Sequence, residues 1–177
     1  MSNMQNWSQN VASIIDYAQT KLPADEIDSR PLARKIHKSN YGEVAKRSKK
    51  VGDSLEKYGI KIGQNVGSLA LNTYRNMELY YGISGMGAVM HTINFRLHPE
   101  QVVYIINHAE NRIIFTETVF APLLEAVQDK CPTVEQYVLL CSKEEMPESN
   151  LKNAVSYEEF IEKGDENYNW PLLDEDA

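Results

Sequence analysis

The sequence predicts an α/β fold, a layered and mostly parallel sheet with flanking helices, and three observations carry that prediction. The stretch from Asn65 to Glu117 alternates short apolar runs with segments of helical period: strand (Asn65 to Leu71), helix (Tyr74 to about Met86), strand (Ala88 to Ile93), helix (Pro99 to His108), strand (Arg112 to Thr116). Alternation of this kind produces parallel strands joined by helical crossovers. The first and last of these strands are near-continuous apolar runs, as expected of strands covered on both faces. The second helix has a sharply specified start, because Pro99 loses no hydrogen bond in a first turn and Glu100 adds a favourable charge there. Val102, Ile105, Ile106 and Ala109 then share one face. Ala88 to Ile93 is expected to be an inner strand.

The remaining elements follow in order. Val11, Ile14, Ile15 and Ala18 form one apolar face, so about Asn10 to Lys21 is a helix ended near Pro23. Asp25 to Arg30 and Arg34 to Lys38, separated by Pro31, are two candidate short antiparallel strands. Asn40 and Glu43 form an Asn-x-x-Glu capping box. Val44, Val51, Leu55 and Tyr58 continue at helical spacing, and Gly59 can take the left-handed position that stops a helix. Lys46, Arg47, Lys49 and Lys50 fall mostly on the opposite arc, facing water or a partner. Phe120, Leu123, Leu124 and Val127 define a further helix, with Pro122 near its start, and Glu135 to Cys141 a fourth core strand. Ser156 and Glu159 can cap a short helix from Tyr157 to Glu162. The apolar island Trp170 to Leu173 suits either a chain cut between two elements or a docked tail.

Composition narrows the function classes. The chain has 177 residues, 42% of them hydrophobic, and a formal charge of −7, which disfavours general nucleic-acid binding. Basic residues crowd between Arg30 and Lys50, whereas eleven acids from Glu144 onward face only Lys143, Lys152 and Lys163. The longest apolar run falls far short of the roughly 20 residues that span a bilayer, and MSNMQNWSQN has neither the basic region nor the apolar core of a signal peptide. Cys131 and Cys141 form no metal-like spacing and no disulfide framework. A cytoplasmic, reducing location is the expectation.

The residues supply no carrier of difficult chemistry. Neither G-x-G-x-x-G nor G-x-x-x-x-G-K-[ST] is present. The cluster Gly82, Gly85 and Gly87 in YYGISGMGAV reads as small residues letting a helix end approach a sheet. His37, His91, His98 and His108 show no metal-ligand spacing. His98 is placed to cap the helix opened by Pro99, and His108 lies near that helix's carboxyl end. His91, in VMHTINF, lies close to the carboxyl end of its strand, where open α/β sheets place ligand-facing groups. It is a satisfied buried histidine, a substrate-lining group or a catalytic base, in that order of preference, and it is the one candidate site residue. No serine has a nucleophile-elbow context, and Glu78, Glu110 and Glu117 lie on different elements. No catalytic, cofactor-binding or metal residue is assigned. A small-molecule pocket fits the strand ends near Leu71 to Tyr74 and His91 to Asn94.

One resemblance covers nearly the whole chain from Val11 to Asp176, more weakly between Leu22 and Lys38. Its carriers are NYGEVAKRSKKVGDSLEKYGIKIGQNVGSLALNTYRNMELYYGISGMGAVMHTINFRLHPEQVVYIINHAENRIIFTE, then CPTVEQYVLL and YNWPLLDED, with LALNTYRNMELYYGISGMGAVMHTINFRLHPEQ the most specific. These resemble the amino-terminal part of an AMP-forming acyl-CoA synthetase of the adenylate-forming superfamily, in particular bacterial medium- and long-chain fatty-acid–CoA ligases. The family normally has proline where Phe95 stands, and often G-D-R-V where Gly63 to Val66 reads GQNV.

The resemblance implies that residues 1–177 are the amino-terminal part of the large adenylate-forming domain, with a core at 40–141 and an acidic, turn-rich tail at 142–177. It implies ATP, Mg²⁺ and CoA for the full-length parent and none of them in this chain. The family's phosphate-cradling loop, its acyl-pocket and adenine-binding motifs and its mobile carboxyl-terminal domain would all follow Asp176, so no catalytic residue carries over. The expected object is therefore a fragment, inactive alone, whose partner is the remainder of the synthetase or a second copy of itself. A non-catalytic binding or oligomerisation module with a degenerate version of the fold is the alternative.

Overall fold

A computed structural model describes residues 8–30 and 35–174. Helix α1 (Val11–Lys21) starts at Asn10, whose side chain accepts from Ser13 N at 2.9 Å. It buries Ala12, Ile15 and Ala18, whereas Ile14 is 58% exposed, so its inner face is rotated from the one read in the sequence. Strands β1 (Glu26–Ser29) and β2 (His37–Asn40) form the expected antiparallel pair. The second begins later than the sequence suggested, because the chain runs straight from that strand into the cap of the next helix. Residues 31–34, which include Arg34 of the expected strand, lie outside the described residues.

Helix α2 (Tyr41–Tyr58) is bounded by the expected signals. Asn40 accepts from Glu43 N at 2.9 Å, and Gly59 ends the helix at φ 97°, a left-handed conformation that costs glycine little. Strand β3 (Asn65–Leu69), helix α3 (Tyr74–Gly85), strand β4 (Val89–Thr92), helix α4 (Pro99–His108) and strand β5 (Ile113–Thr116) follow as anticipated. His98 caps α4 in a capping box with Gln101, its N–H donating to Gln101 Oε1 at 3.1 Å. Helix α5 (Ala121–Val127), strand β6 (Gln136–Leu139), strand β7 (Ala154–Ser156) and helix α6 (Tyr157–Glu162) complete the chain. Strand β7 is a fifth parallel strand that its three residues do not announce.

The sheet order is β4-β3-β5-β6-β7, parallel throughout. Strand β4 is therefore an edge strand among the described residues, not the inner strand expected from its apolar sequence. The cause is topological: the chain steps outward from β3 to β4, then returns past β3 to place β5 on the other side. Crossovers of one hand put their helices on opposite faces when the direction of strand addition reverses. Accordingly α3 packs on one face with α2 and α6, around Val51, Leu79, Phe115, Val138 and Ile161. Helices α4 and α5 cover the other face, around Val102, Ile106, Ile114, Leu124 and Leu139. Neighbouring residues Ile114 and Phe115, both fully buried, serve opposite cores, which is why this strand reads as an unbroken apolar run.

The terminal apolar island docks onto the helical layer. Trp170 Nε1 donates to Asp16 Oδ1 at 3.3 Å, and the indole lies against Gly52 and Gly85, where an added Cβ would stand 2.9 Å from the ring. Gly82 faces α2, and a Cβ there would come within 2.6 Å of the Val51 side chain. Gly82 and Gly85 thus admit a helix and a tryptophan, rather than letting a helix end approach the sheet, whereas Gly87 faces Ile62 and Leu173. The basic run on α2 finds its counter-charges within the chain, partly in the acidic tail: Lys46 pairs with Glu166 at 3.9 Å and Arg47 with Glu158 at 3.0 Å.

Candidate functional site

The reversal of strand order between β3 and β5 opens a crevice at the carboxyl ends of these two strands, the place where open α/β sheets bind ligands. Thr73 Oγ1 donates to Glu117 Oε1 across it, at 3.3 Å. Beside it lies a cavity of about 490 Å³ between the β1–β2 hairpin, the first turns of α3 and the end of β4. Asn72, Thr73, Asn76 and Thr92 supply its polar groups, and Ile27, Met77, Tyr80, Tyr81 and Met90 much of its wall. Among the described residues, no carboxylate, lysine, arginine or histidine side chain lines it. A cavity so lined suits an uncharged, largely apolar group and is unsuited to a polyphosphate.

The hairpin is fastened over this cavity by two contacts with Tyr74. The Tyr74 N–H donates to Ser29 Oγ at 3.0 Å, and the His37 ring stacks on the Tyr74 ring at 3.6 Å between centroids, 12° from parallel. The Arg75 guanidinium lies 4.9 Å from the Tyr74 ring centre. Burial, followed by the charges of Arg75 and Arg47, lowers the His37 pKa below its ordinary value, so the stacked imidazole favours the neutral form.

Arg75 opens a buried charge network at the ends of β6 and β7. Its Nη1 donates to the Leu140 carbonyl at 3.1 Å, and its Nη2 meets Glu158 Oε1 at 3.0 Å. Arg47 Nε donates to Glu78 Oε1 at 2.8 Å, and Tyr157 OH donates to Glu78 Oε2 at 2.7 Å. Burial pushes the Glu78 carboxyl above its ordinary pKa, with Arg47 and Tyr157 opposing the shift. Burial first, then Glu78, raises the Tyr157 phenol well above its ordinary value. Two guanidinium groups thus meet two carboxylates, and the network keeps no net positive charge for a phosphate. The neighbouring cleft of about 350 Å³ also mixes signs, with Lys50 and Lys143 facing Glu144, Glu159 and Glu162.

His91 is half-buried on β4, with Nδ1 2.7 Å from Asn111 Oδ1. Its neighbours Met90 and Thr92 line the cavity and His91 does not, because successive strand residues point to opposite faces. Of the two stretches proposed for a pocket, the structure brings Asn72, Thr73, Tyr74 and Thr92 together. Sequence reasoning missed Arg47, Arg75, Glu78, Tyr157 and Glu158. One signal was present: Arg75 and Glu78 are charges three positions apart in the otherwise uncharged helix YRNMELYYGISG. Arg47 was read as facing water or a partner, and it is turned inward because Glu78 lies beneath α2. Among the described residues no group of three His, Cys, Asp or Glu could hold a metal ion, and no helix is long and apolar enough to cross a membrane.

Comparisons with known proteins place this architecture. The chain is 39% identical over 167 residues to the 3-methylmercaptopropionyl-CoA ligase of Ruegeria lacuscaerulensis, covering 94% of this chain and 31% of that protein. It is 33% identical to the medium-chain-fatty-acid–CoA ligase of Ectopseudomonas oleovorans, covering 93% of this chain and 30% of that protein. It therefore spans about a third of the length of these relatives. Its fold superposes with a TM-score of 0.79 on a long-chain-fatty-acid-CoA ligase from Archaeoglobus fulgidus, at 17% identity, over 97% of this chain and 33% of that one. A crystal structure of an anthranilate CoA ligase in complex with anthranoyl-AMP matches at a TM-score of 0.74 and 21% identity, over 94% of this chain and 30% of that one. A doubly wound parallel sheet shared with these ligases, together with a match of residues 23–171 to the model described as AMP-binding enzyme, shows that the chain belongs to the AMP-binding, acyl-CoA synthetase family and represents its amino-terminal region.

Proposed function

We propose that this chain is the amino-terminal part of an AMP-forming ligase that joins a medium- or long-chain fatty acid to CoA, and that it does not adenylate an acid by itself. The observation that carries the reading is identity of 33% to 39% to acid–CoA ligases along more than nine-tenths of this chain, which spans less than a third of their length. In the whole protein the fatty carboxylate would attack the α-phosphate of ATP, releasing pyrophosphate and leaving acyl-AMP. The CoA thiolate would then displace AMP to form the thioester. Magnesium bound in such a protein offsets charge on the phosphates, but the donors among the described residues do not fit it. What this chain's own residues supply is an uncharged cavity and a charge-balanced network, and neither offers a cation to a triphosphate.

ATP–pyrophosphate exchange tests both parts. The 177-residue chain should show none, and a longer polypeptide that contains it should show exchange dependent on a fatty acid. Exchange by the short chain would overturn its inactivity. A longer polypeptide inert with every carboxylic acid tried would overturn the ligase reading.

A second reading of the substrate has its own support. Identity to two Ruegeria 3-methylmercaptopropionyl-CoA ligases, 39% and 38%, exceeds the 33% to the medium-chain enzyme. In that reading the acid is a short one with a thioether. The ratio of kcat/KM for 3-methylmercaptopropionate and octanoate in the longer polypeptide decides between them.

A further inference from the structure

We propose that the β1–β2 hairpin is a proton-operated clasp on the cavity it covers, released at its tip when His37 takes up a proton. The hairpin is held at its two ends by different means. At its base, Tyr41 N donates to the Asp25 carbonyl at 3.3 Å and Gly42 N to the Pro23 carbonyl at 3.0 Å, which ties it to the start of α2. At its tip, Ser29 and His37 form the last pair of the register before the turn, and both engage Tyr74. Tyr74 N is a first-turn donor that no helix carbonyl can take, and Ser29 Oγ satisfies it. Ile27 and Ser29 line the cavity together with Met77 and Tyr81 of α3. Freeing the tip alone therefore turns the hairpin about its base and opens the cavity.

The charges around the tip make it respond to a proton. Directly opposed residues share a face, so Ser29, His37, Ile27 and Ser39 form one side of the hairpin, whereas Lys38 pairs with Glu26 and Asp28 on the other. Among the described residues, the charges that reach His37 from the packed helices are Arg75 of α3, Arg47 and Glu43 of α2, and Glu158 of α6. The two acids are already engaged: Glu43 accepts from Ser39 Oγ at 2.9 Å, and Glu158 is shared by Arg47 and Arg75, each at 3.0 Å. The Tyr74 phenol, its pKa raised by burial, stays neutral. Its ring already carries the Arg75 guanidinium, so an imidazolium stacked there would be a second cation on one ring. Burial first, then Arg75 and Arg47, accordingly holds the His37 pKa below its ordinary value of 6.5. Well above that value the ring is neutral whether clasped or free. As pH falls below it, the free ring binds the proton more readily than the clasped one, so acid favours release until the lowered value has been passed. Every group named lies between Pro23 and Glu158, so the clasp does not depend on which acid the longer protein activates.

Hydrogen exchange of the Tyr74 amide in the 177-residue chain, followed by NMR and corrected for the intrinsic pH dependence of exchange, tests the clasp. In the wild type its protection should fall about fivefold or more between about pH 7.5 and about pH 5. The fall should track the titration of the His37 ring, read from its carbon-bound protons, while the Leu79 amide farther along α3 stays protected. His37→Phe, which keeps a ring against Tyr74 but cannot take a proton, should hold the Tyr74 amide equally protected across that range. Arg75→Met, which removes the cation on the Tyr74 ring, should move the His37 titration upward and flatten the fall. Equal protection of the wild-type Tyr74 amide at both ends of the range would overturn the proposal. So would a fall that persists in His37→Phe, or one that the Leu79 amide shares, since that marks unfolding of α3 instead of release of the tip.

Discussion

Arg47 Nε and Glu78 Oε1 lie 2.8 Å apart although 31 positions separate them in sequence, and through this bond α2 grips α3. Glu78 is 1% exposed, whereas the Arg47 side chain keeps 30% of its surface and a second carboxylate partner in Glu158. The acid is the fully committed member of the pair, so the two residues respond differently to substitution.

Replacing Arg47 with methionine leaves the buried Glu78 carboxylate with only the Tyr157 hydroxyl. Removing one partner of such a pair costs about 3 kcal/mol, whereas replacing both with apolar groups is often neutral. Arg47→Met should therefore lower stability in urea by about that amount, and Arg47→Met/Glu78→Leu should recover most of it. A double variant as unstable as the single one would remove this explanation.

The pH dependence follows from the raised Glu78 pKa. A carboxyl that protonates more readily in the folded chain favours folding fully below its unfolded value, ordinarily 4.5. That contribution is lost as pH rises through the folded value. Relative to Glu78→Gln, which keeps hydrogen-bonding atoms in place, the wild type should lose stability as pH rises from the ordinary carboxylate range. Thermal melts of both proteins across that range give the comparison, and parallel curves would mean that Glu78 titrates normally.

Gly82→Ala sets two local effects against each other. Alanine is the better helix former by about 1 kcal/mol, yet its Cβ would come within 2.6 Å of Val51 and 2.8 Å of the Ser48 carbonyl. Contacts that close require α2 and α3 to part, and overpacking costs about 1–3 kcal/mol. The variant should be less stable in urea than wild type. A gain in stability would show that the seam between the helices gives way easily.

The half-buried acid Glu125 helps to hold the long connection from β6 to β7. Glu125 Oε1 accepts from Ser149 Oγ at 2.7 Å and from Asn150 N at 2.8 Å, and these hydrogen bonds, the Ser149 hydroxyl first, lower its pKa. The contribution is present above the ordinary carboxylate value and is lost as pH falls through the lowered one. Glu125→Ala should speed proteolytic cutting between residues 142 and 153 while leaving the melting temperature nearly unchanged. Equal cutting of the two proteins would mean that Gln128, which bonds Lys152 N and the Asn150 carbonyl, suffices to hold the segment.

Much of the local structure was legible because its signals lie within one helical turn. Asn40 with Glu43, Gly59, Pro99 and Ser156 stand at the boundaries their chemistry implies. Strand β5 reads as an unbroken apolar run because both its faces are covered. Site residues were harder. Asn72, Thr73 and Thr92 fell within stretches already picked out as strand ends, but Arg47, Tyr157 and Glu158 meet Arg75 and Glu78 across 31 to 83 positions. No local pattern records such pairs.

The sequence by itself determined which segments become helix or strand and where most of them stop, since caps, prolines and apolar period act over a few residues. Only the tertiary structure decided that β4 lies at an edge among the described strands, that Arg47 turns inward, and that Met90 and Thr92 rather than His91 border the cavity. Each of these depends on the order in which strands assemble and on which face a neighbouring helix covers, and the same apolar tetrapeptide can fill an inner or an outer place in a sheet.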